Sequence, residues 1–346
     1  MRGMAIEFGL DTFGDVTNTP DGRTLSHPEV LQNVVAEAVL ADELGIDFFG
    51  VGEHHRRDFA VSAPEVVLAA IAASTQRIKL GSAVTVLSSD DPVRVFERFA
   101  TVDGLSGGRA EVIMGRGSFT ESFPLFGYNL EEYHELFEEK LDLFAALLHE
   151  TPVTWEGRLR PSLHNADVFP KTTAGHIRTW VGVGGSPESV IRTARYGFPL
   201  LLAIIGGSWT AFEQYAELYR RALAEFTQEP QPIGVHSPGY IAETDEQALR
   251  EFWPYHAKQH AKFARERGWG PTSEAQYRRG ASPTGALFIG SPETVAQKLA
   301  LMIKQLGLQR FHLKYSIEGL PHEQSLRTIE LYGTKVIPRV RELLAQ

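Results

Sequence analysis

Short apolar runs alternate with longer amphipathic stretches almost from one end of the chain to the other, the pattern of successive βα units feeding a parallel sheet. Met4 to Leu10 predicts a first strand. Pro28 to Leu44 follows as a helix, with Ser26 as its N-cap and Gly45 as its stop. A second strand runs from Ile46 into the polar residues Glu53, His54 and His55, and Pro64 to Ser74 predicts the second helix. Ile78 to Val86 reads as a third strand, Pro92 to Leu105 as a helix, and Arg109 to Gly117 as a fourth strand. Glu131 to His149 predicts a fourth helix. The irregular stretch 151–170 predicts a small hairpin insertion. Further strands are expected at Thr179 to Ser186, Pro199 to Gly207, Ile233 to Glu243 and Arg310 to Ser316, separated by helices over Ala211 to Phe226, Asp245 to Arg267 and Pro292 to Leu306. A last helix, from Glu323 to Leu344, closes the set. The segment 268–285, rich in Gly, Pro, Ser and Arg, reads as a mobile loop. Eight strand–helix units without a linker or repeat favour one (β/α)₈ TIM-type barrel over 1–346, with insertions near 151–170 and 268–285, above an open doubly wound sheet.

Composition narrows the chemistry. The chain has 346 residues, a net charge of −9 and no cysteine. Its acidic balance argues against a general nucleic-acid binder, which needs a basic face. Without cysteine there is no disulfide, Cys-ligated zinc, iron–sulfur cluster or thiol catalysis. No apolar run approaches the ~20 residues that span a bilayer, and the N-terminus reads as a strand rather than a signal peptide. A cytoplasmic protein that binds neither nucleic acid nor membrane is the expectation.

In a (β/α)₈ barrel the functional residues gather at the C-terminal ends of the strands. The second strand ends in Glu53-His54-His55, which suits a general base with an orienting partner, a metal site, or polar residues that satisfy loop backbone. Adjacent strand residues face opposite ways, which counts against a shared metal ion, and no metal site is expected. The fourth strand ends in Gly115-Arg116-Gly117-Ser118, suited to an anionic group that comes close to backbone. The fifth ends in Gly184-Gly185-Ser186-Pro187-Glu188-Ser189, where a helix N-terminus with hydroxyl neighbours favours a phosphate. Both strand ends also read as ordinary turns. Phe13, Phe59 and Phe119 are candidates for an apolar lining.

Taken in order, Gly52-Glu53-His54-His55, Gly81 to Leu87 with Asp91-Pro92-Val93-Arg94, Leu105 to Arg109, Gly115-Arg116-Gly117, Phe126-Gly127, Gly184-Gly185-Ser186-Pro187 and Gly290-Ser291-Pro292-Glu293 resemble the bacterial luciferase-like superfamily of flavin-dependent monooxygenases. The resemblance implies a barrel that assembles as a homodimer and takes reduced FMN from a separate NAD(P)H:flavin reductase, to oxygenate a small organic substrate with O₂. It implies that Arg116, with Gly185, Ser186 and Ser189, holds the phosphate. It also implies that Ala83–Val84 forms a non-proline cis peptide behind the flavin ring, and that His54 is the base with His55 beside it. Glu53, Gly115, Gly117, Ser118 and Gly184 fall in the same cofactor-binding motifs. His134 stands where relatives often carry a phosphate-binding arginine. Gly115 replaces the cysteine of some luciferases, and Ala203-Ile204-Ile205 lacks the tryptophan of light emitters, so light emission is not implied. The alternatives are a deazaflavin-dependent oxidoreductase on the same barrel and a flavin-binding protein without turnover.

Overall fold

The computed structural model describes residues 6–117, 119–268 and 270–346. Eight parallel strands form the barrel: β1 Glu7–Thr12, β2 Phe48–Val51, β3 Lys79–Ser82, β4 Ala110–Gly115, β5 Arg178–Val183, β6 Leu200–Ala203, β7 Ile233–Ile241 and β8 Arg310–Lys314. Each pairs with the next in sequence, and β8 returns to β1 with Phe8 opposite Phe311 and Leu10 opposite Leu313. The expected (β/α)₈ architecture is therefore present and closed. The strand predicted over Ile78 to Val86 is broken. It pairs over Lys79–Ser82 and again over Thr85–Val86, and the Ala83–Val84 peptide between them is cis, as the resemblance implied.

Helices α1 His27–Glu43, α2 Pro64–Ser74, α3 Pro92–Ser106, α4 Tyr133–Leu147, α5 Pro187–Arg195, α6 Glu213–Glu225, α7 Asp245–Arg267, α8 Pro292–Leu306 and α9 His322–Leu331 surround the strands. Their starts follow from local chemistry. Ser26 and Glu29 form a capping box at α1, Asp91 accepts the backbone N–H of Val93 at α3, and Ser291 caps α8. The stretch 151–170 carries an antiparallel hairpin, Val153–Trp155 against Leu163–Ala166.

The stretch 268–285 departs from expectation, because it contains a helix, Glu274–Gly280. Ser273 and Gln276 make a capping box there, and the buried Tyr277 anchors it by donating to the Leu249 carbonyl at 3.1 Å. The last helical segment is also interrupted, by a π-helical turn at Tyr332–Val336 before Ile337–Ala345. Among the described residues no helix is long and apolar enough to cross a membrane.

The barrel interior is layered. At its N-terminal end Arg310 is fully buried and pairs with Glu111 at 2.5 Å and with Glu7, while Arg178 and Lys79 also reach Glu7. Burial opposes ionisation of Glu7, but the cations around it outweigh burial and hold its carboxyl down at about 2. Above this plug lie Phe48, Ile113, Trp180 and Leu201, with the His312 ring stacked on Phe48 at 4.4 Å. The interior is thus filled below its mouth, and only the C-terminal end is left for a ligand.

Candidate functional site

The two glycine-rich strand ends converge on one rim of the mouth. Arg116, just past β4, extends one guanidinium arm to His134 Nδ1 at 2.7 Å and another to Ser189 Oγ at 3.3 Å. Arginine can only donate, so His134 Nδ1 accepts and its proton sits on Nε2. Tyr133 supports the arrangement: its ring lies 5.3 Å from the Arg116 guanidinium, and its hydroxyl donates to the Gly117 carbonyl at 2.8 Å. Ser189 stands in the first turn of α5, which Ser186 caps. Gly185 has φ of 109°, a left-handed conformation that turns the chain from β5 into α5 and that a side chain would disfavour. Arg116, His134 and Ser189 thus bring hydrogen-bond donors to a helix N-terminus that Ser186 caps, which suits an anion. The acidic Glu188 also stands at this rim, accepting from the Ser186 hydroxyl at 2.6 Å from an exposed position.

Across the mouth, His54 is ringed by phenylalanines. Its imidazole lies 4.9 Å from the Phe13 ring, 4.4 Å from Phe59 and 4.9 Å from Phe119. Burial there, with the positive charge of Lys314 nearby, pushes its pKa down to about 3. His54 is therefore neutral at ordinary pH and available as an acceptor. His55, the next residue, turns its ring against Phe126 at 5.0 Å, with Nε2 3.5 Å from Glu53. The second strand was expected to run through these residues, but β2 ends at Val51, and it is the loop after it that turns the two histidines apart; Glu53 and His55 form their own pair beside the His54 cage.

Gly115 closes the wall beneath the cis peptide. A Cβ at this position would overlap a methyl of Val84. The cysteine of some luciferases has no room here while Val84 keeps its place.

Over the mouth, the C-terminal end of α7 is strapped down. Arg56 pairs with Glu266 at 2.6 Å and lies 4.6 Å from the Phe119 ring, while Lys262 pairs with Asp58 at 2.8 Å.

The floor of the mouth holds groups that sequence reading missed. Asp11 at the end of β1 is fully buried and meets His236 Nδ1 at 2.6 Å and His312 Nδ1 at 3.1 Å. Beside them Lys314 pairs with Asp15 at 2.5 Å, and Ser316 donates to the same carboxylate at 2.7 Å. A signal for them did exist: β8 alternates Arg310, His312 and Lys314 with Phe311 and Leu313. Among the described residues no group of three or more His, Asp and Glu is placed to hold a metal ion.

Of the residues singled out from sequence, the structure brings Arg116, Gly117, His134, Gly184, Gly185, Ser186 and Ser189 together at one rim. It sets His54 with Ala83, Val84 and Gly115 at the mouth and leaves Glu53 and His55 as a separate pair. Ser118 lies outside the described residues.

Residues 8–310 match the family model described as luciferase-like monooxygenase. The alkanal monooxygenase alpha chain of Photobacterium leiognathi is 24% identical over 92% of this chain and 95% of its own length. Among solved structures, monooxygenase RslO1 from Streptomyces bottropensis superposes with a TM-score of 0.81 at 24% identity, covering 96% of this chain and 99% of that one. The oxygenating constituent of 3,6-diketocamphane monooxygenase from Pseudomonas putida, solved in complex with FMN, gives 0.78 at 19% identity over 97% and 99%. An F420-dependent secondary alcohol dehydrogenase gives 0.73 at 16% identity over 98% and 100%.

Proposed function

The chain belongs to the luciferase-like monooxygenase family, and from that membership we propose that it is an FMN-dependent two-component monooxygenase acting on a small organic molecule. The observation that carries this reading is the donor cluster of Arg116, His134 and Ser189, which shares a mouth with a neutral imidazole and a cis peptide. That cluster fits the phosphate of FMN in charge and in donor geometry. Ser186, Gly184, Gly185 and Gly117 would complete the cradle, and Ala83, Val84 and Gly115 would line the space for a flavin. Glu53 and His55 buttress the second strand end.

Reduced FMN, supplied by a separate NAD(P)H:flavin reductase, brings the reaction with O₂. The protein's own part is to orient and exclude. Phe13, Phe59 and Phe119 keep water from the reaction space, and the end of α7 closes over it. His54 accepts a proton or a hydrogen bond from the bound molecules, a role that its neutral state permits. The lining suits an aliphatic or aromatic substrate better than a charged one. The reading includes assembly as a homodimer.

One experiment separates this reading from its rivals. Purified protein is titrated with FMN and with F420 in competition, and O₂ uptake is followed with NADH and an added flavin reductase. The reading expects FMN to win and O₂ uptake to require the reductase. Preferential F420 binding transfers the site to deazaflavin chemistry, and tight FMN binding without turnover of any organic probe makes this a flavin holder. No flavin binding at micromolar concentration defeats all three.

A further inference from the structure

Donors and acceptors are unequal on the floor of the mouth. Asp11 Oδ2 receives Nδ1 of His236 at 2.6 Å and Nδ1 of His312 at 3.1 Å, from residues that stand opposite one another on β7 and β8. Burial opposes ionisation of Asp11, but the two histidines outweigh it and hold its carboxyl well below the usual range, so the oxygen only accepts. Each ring therefore carries a proton on Nδ1, and in its neutral form keeps a lone pair on Nε2. The other donors of the floor are committed. Lys314 Nζ gives to Asp15 Oδ2 at 2.5 Å, to the Ser316 carbonyl and towards Ser316 Oγ at 3.4 Å, and the Ser316 hydroxyl gives to Asp15 at 2.7 Å. Because that hydroxyl is spent, Thr12 is the donor in its 3.1 Å contact with Ser316 Oγ.

Acceptors are left over. Asp11 Oδ1, Asp15 Oδ1 and His312 Nε2 are buried without hydrogen-bond partners among the described residues. His312 is sealed by its stack on Phe48, and burial pushes its pKa down. His236 is open by comparison, with 11% of its side chain exposed. Its Nε2 has no hydrogen-bond partner among the described residues and is not one of the sealed atoms, so it is the accessible edge of the ring. The ring runs nearly parallel to Phe13 with 6.1 Å between centroids, and Phe13 meets the His54 ring at 4.9 Å, so this edge belongs to the same mouth. The carboxylate behind it has room because β2 carries Gly50, where a Cβ would overlap Asp11 Oδ1.

A floor whose free positions all accept is complementary to a molecule that donates. A ketone or aldehyde there sets lone pair against lone pair and leaves both unpaired, whereas a hydroxyl or N–H satisfies the site. We propose that His236 Nε2 is a specificity-determining acceptor: it takes a hydrogen bond from an O–H or N–H of the molecule bound in the mouth, and Asp11 is the positioning residue that keeps the ring proton on Nδ1. The proposal deepens the flavin-site reading and rests on it. The donor is the hydroxyl or amide N–H of an organic substrate, or the imide N–H of the flavin. His54, on the far side of its contact with Phe13, keeps one N–H and one lone pair of its own and is not part of this floor.

The test uses whole protein labelled with ¹⁵N-histidine at about pH 8, above the usual range of the imidazole. Two-bond N–H correlation spectra report which ring nitrogen carries the proton, and flavin fluorescence in the same samples reports FMN binding. His236→Phe keeps an aromatic ring against Phe13, removes the acceptor and assigns the resonance. The expected result is a protonated Nδ1 and a bare Nε2 in free protein, with the Nε2 resonance moving on ligand addition. FMN is added first, then phenol or cyclohexanol, each set against its carbonyl counterpart, benzaldehyde or cyclohexanone. A shift with FMN alone assigns the donor to the flavin, and a shift that needs phenol or cyclohexanol assigns it to the second molecule. For the ligand that moves the resonance, calorimetry is expected to show binding about fivefold weaker in His236→Phe, the scale of one lost hydrogen bond, with the carbonyl compounds unaffected. Asp11→Asn is expected to spread the proton over both nitrogens, and the wild-type spectrum carries the test even where that variant does not fold. With FMN quenched, a protonated Nε2 in free protein, equal shifts with phenol and benzaldehyde, or an Nε2 unmoved in every arm overturns the proposal and leaves the flavin site standing. Unquenched FMN overturns both.

Discussion

Replacing Arg116 by methionine tests whether a phosphate is held at the β4–β5 rim. Methionine keeps an apolar stem against the Tyr133 ring, so the change removes charge and donors with little loss of packing. Arg116 is half-buried between His134 at 2.7 Å and Ser189 at 3.3 Å, so it is pre-positioned but still wet. A hydrogen bond to a charged group contributes roughly 1.5–3 kcal/mol, which is ~10- to 100-fold in dissociation constant. The informative quantity is a difference between ligands. Riboflavin shares the ring of FMN and lacks the phosphate, so Arg116→Met is expected to weaken FMN by that factor and riboflavin by less than about twofold. Fluorescence-quenching titrations of both flavins against both proteins form a cycle whose interaction term belongs to the Arg116–phosphate pair. Equal losses for FMN and riboflavin, or none for either, would refute the assignment of the phosphate to this rim.

The His54 pKa near 3 has a consequence for stability. Between about pH 6.5 and 3 the unfolded chain binds a proton at this residue that the folded one refuses, so its contribution falls as pH drops through that window; at pH 5 the loss is at most about 2 kcal/mol. His54→Gln removes it, and calorimetry should show the wild-type Tm falling from pH 7 to 5 by ~3 °C more than that of the variant; parallel curves would count against a buried neutral imidazole. Gly115→Cys should destabilise by roughly 1–3 kcal/mol in urea unfolding through its overlap with Val84, and Val84→Ala in the same chain should restore most of the loss; independent, additive effects would show that Val84 is not what fills the space. Arg310→Met leaves the buried Glu111 and its neighbour Glu7 with only the more exposed Arg178 and Lys79 as counter-charges and should cost about 3–5 kcal/mol, with FMN affinity in the folded fraction unchanged; lost affinity in folded protein would contradict the separation of the barrel's two ends.

The parts legible in the sequence are those whose signal is local. Strands buried on both faces declare themselves as apolar runs, and caps such as Ser26, Asp91 and Ser291 declare helix starts within three residues. The helix Glu274–Gly280 was legible in principle through Ser273 and Gln276, but glycine and proline around it masked the capping pair. The break in β3 was not, because hydrophobic periodicity carries no information about a peptide's isomer and only the resemblance pointed to it. Arg116 and Ser189 lie 73 positions apart and meet only because β4 and β5 are neighbours in the barrel. Each strand end alone was compatible with a turn, and closure of the barrel makes them one cradle.

The missed floor has a different cause. A barrel interior is expected to be filled by branched apolar side chains, so Arg310, His312 and Lys314 read as polar interruptions of a strand rather than as its inward face. Their partners Glu7, Asp11 and Asp15 sit at the other end of the chain and reach them only when β8 closes on β1. That one strand supplies all three polar groups arranges them by depth. Arg310 is locked between two carboxylates, His312 is stacked and shielded, and Lys314 faces the mouth, where its charge helps to keep His54 neutral. Charge deep in the barrel serves closure, and charge near the rim sets protonation. The same alternation of residues along β8 therefore joins the seam that completes the fold to the electrostatics of the site above it.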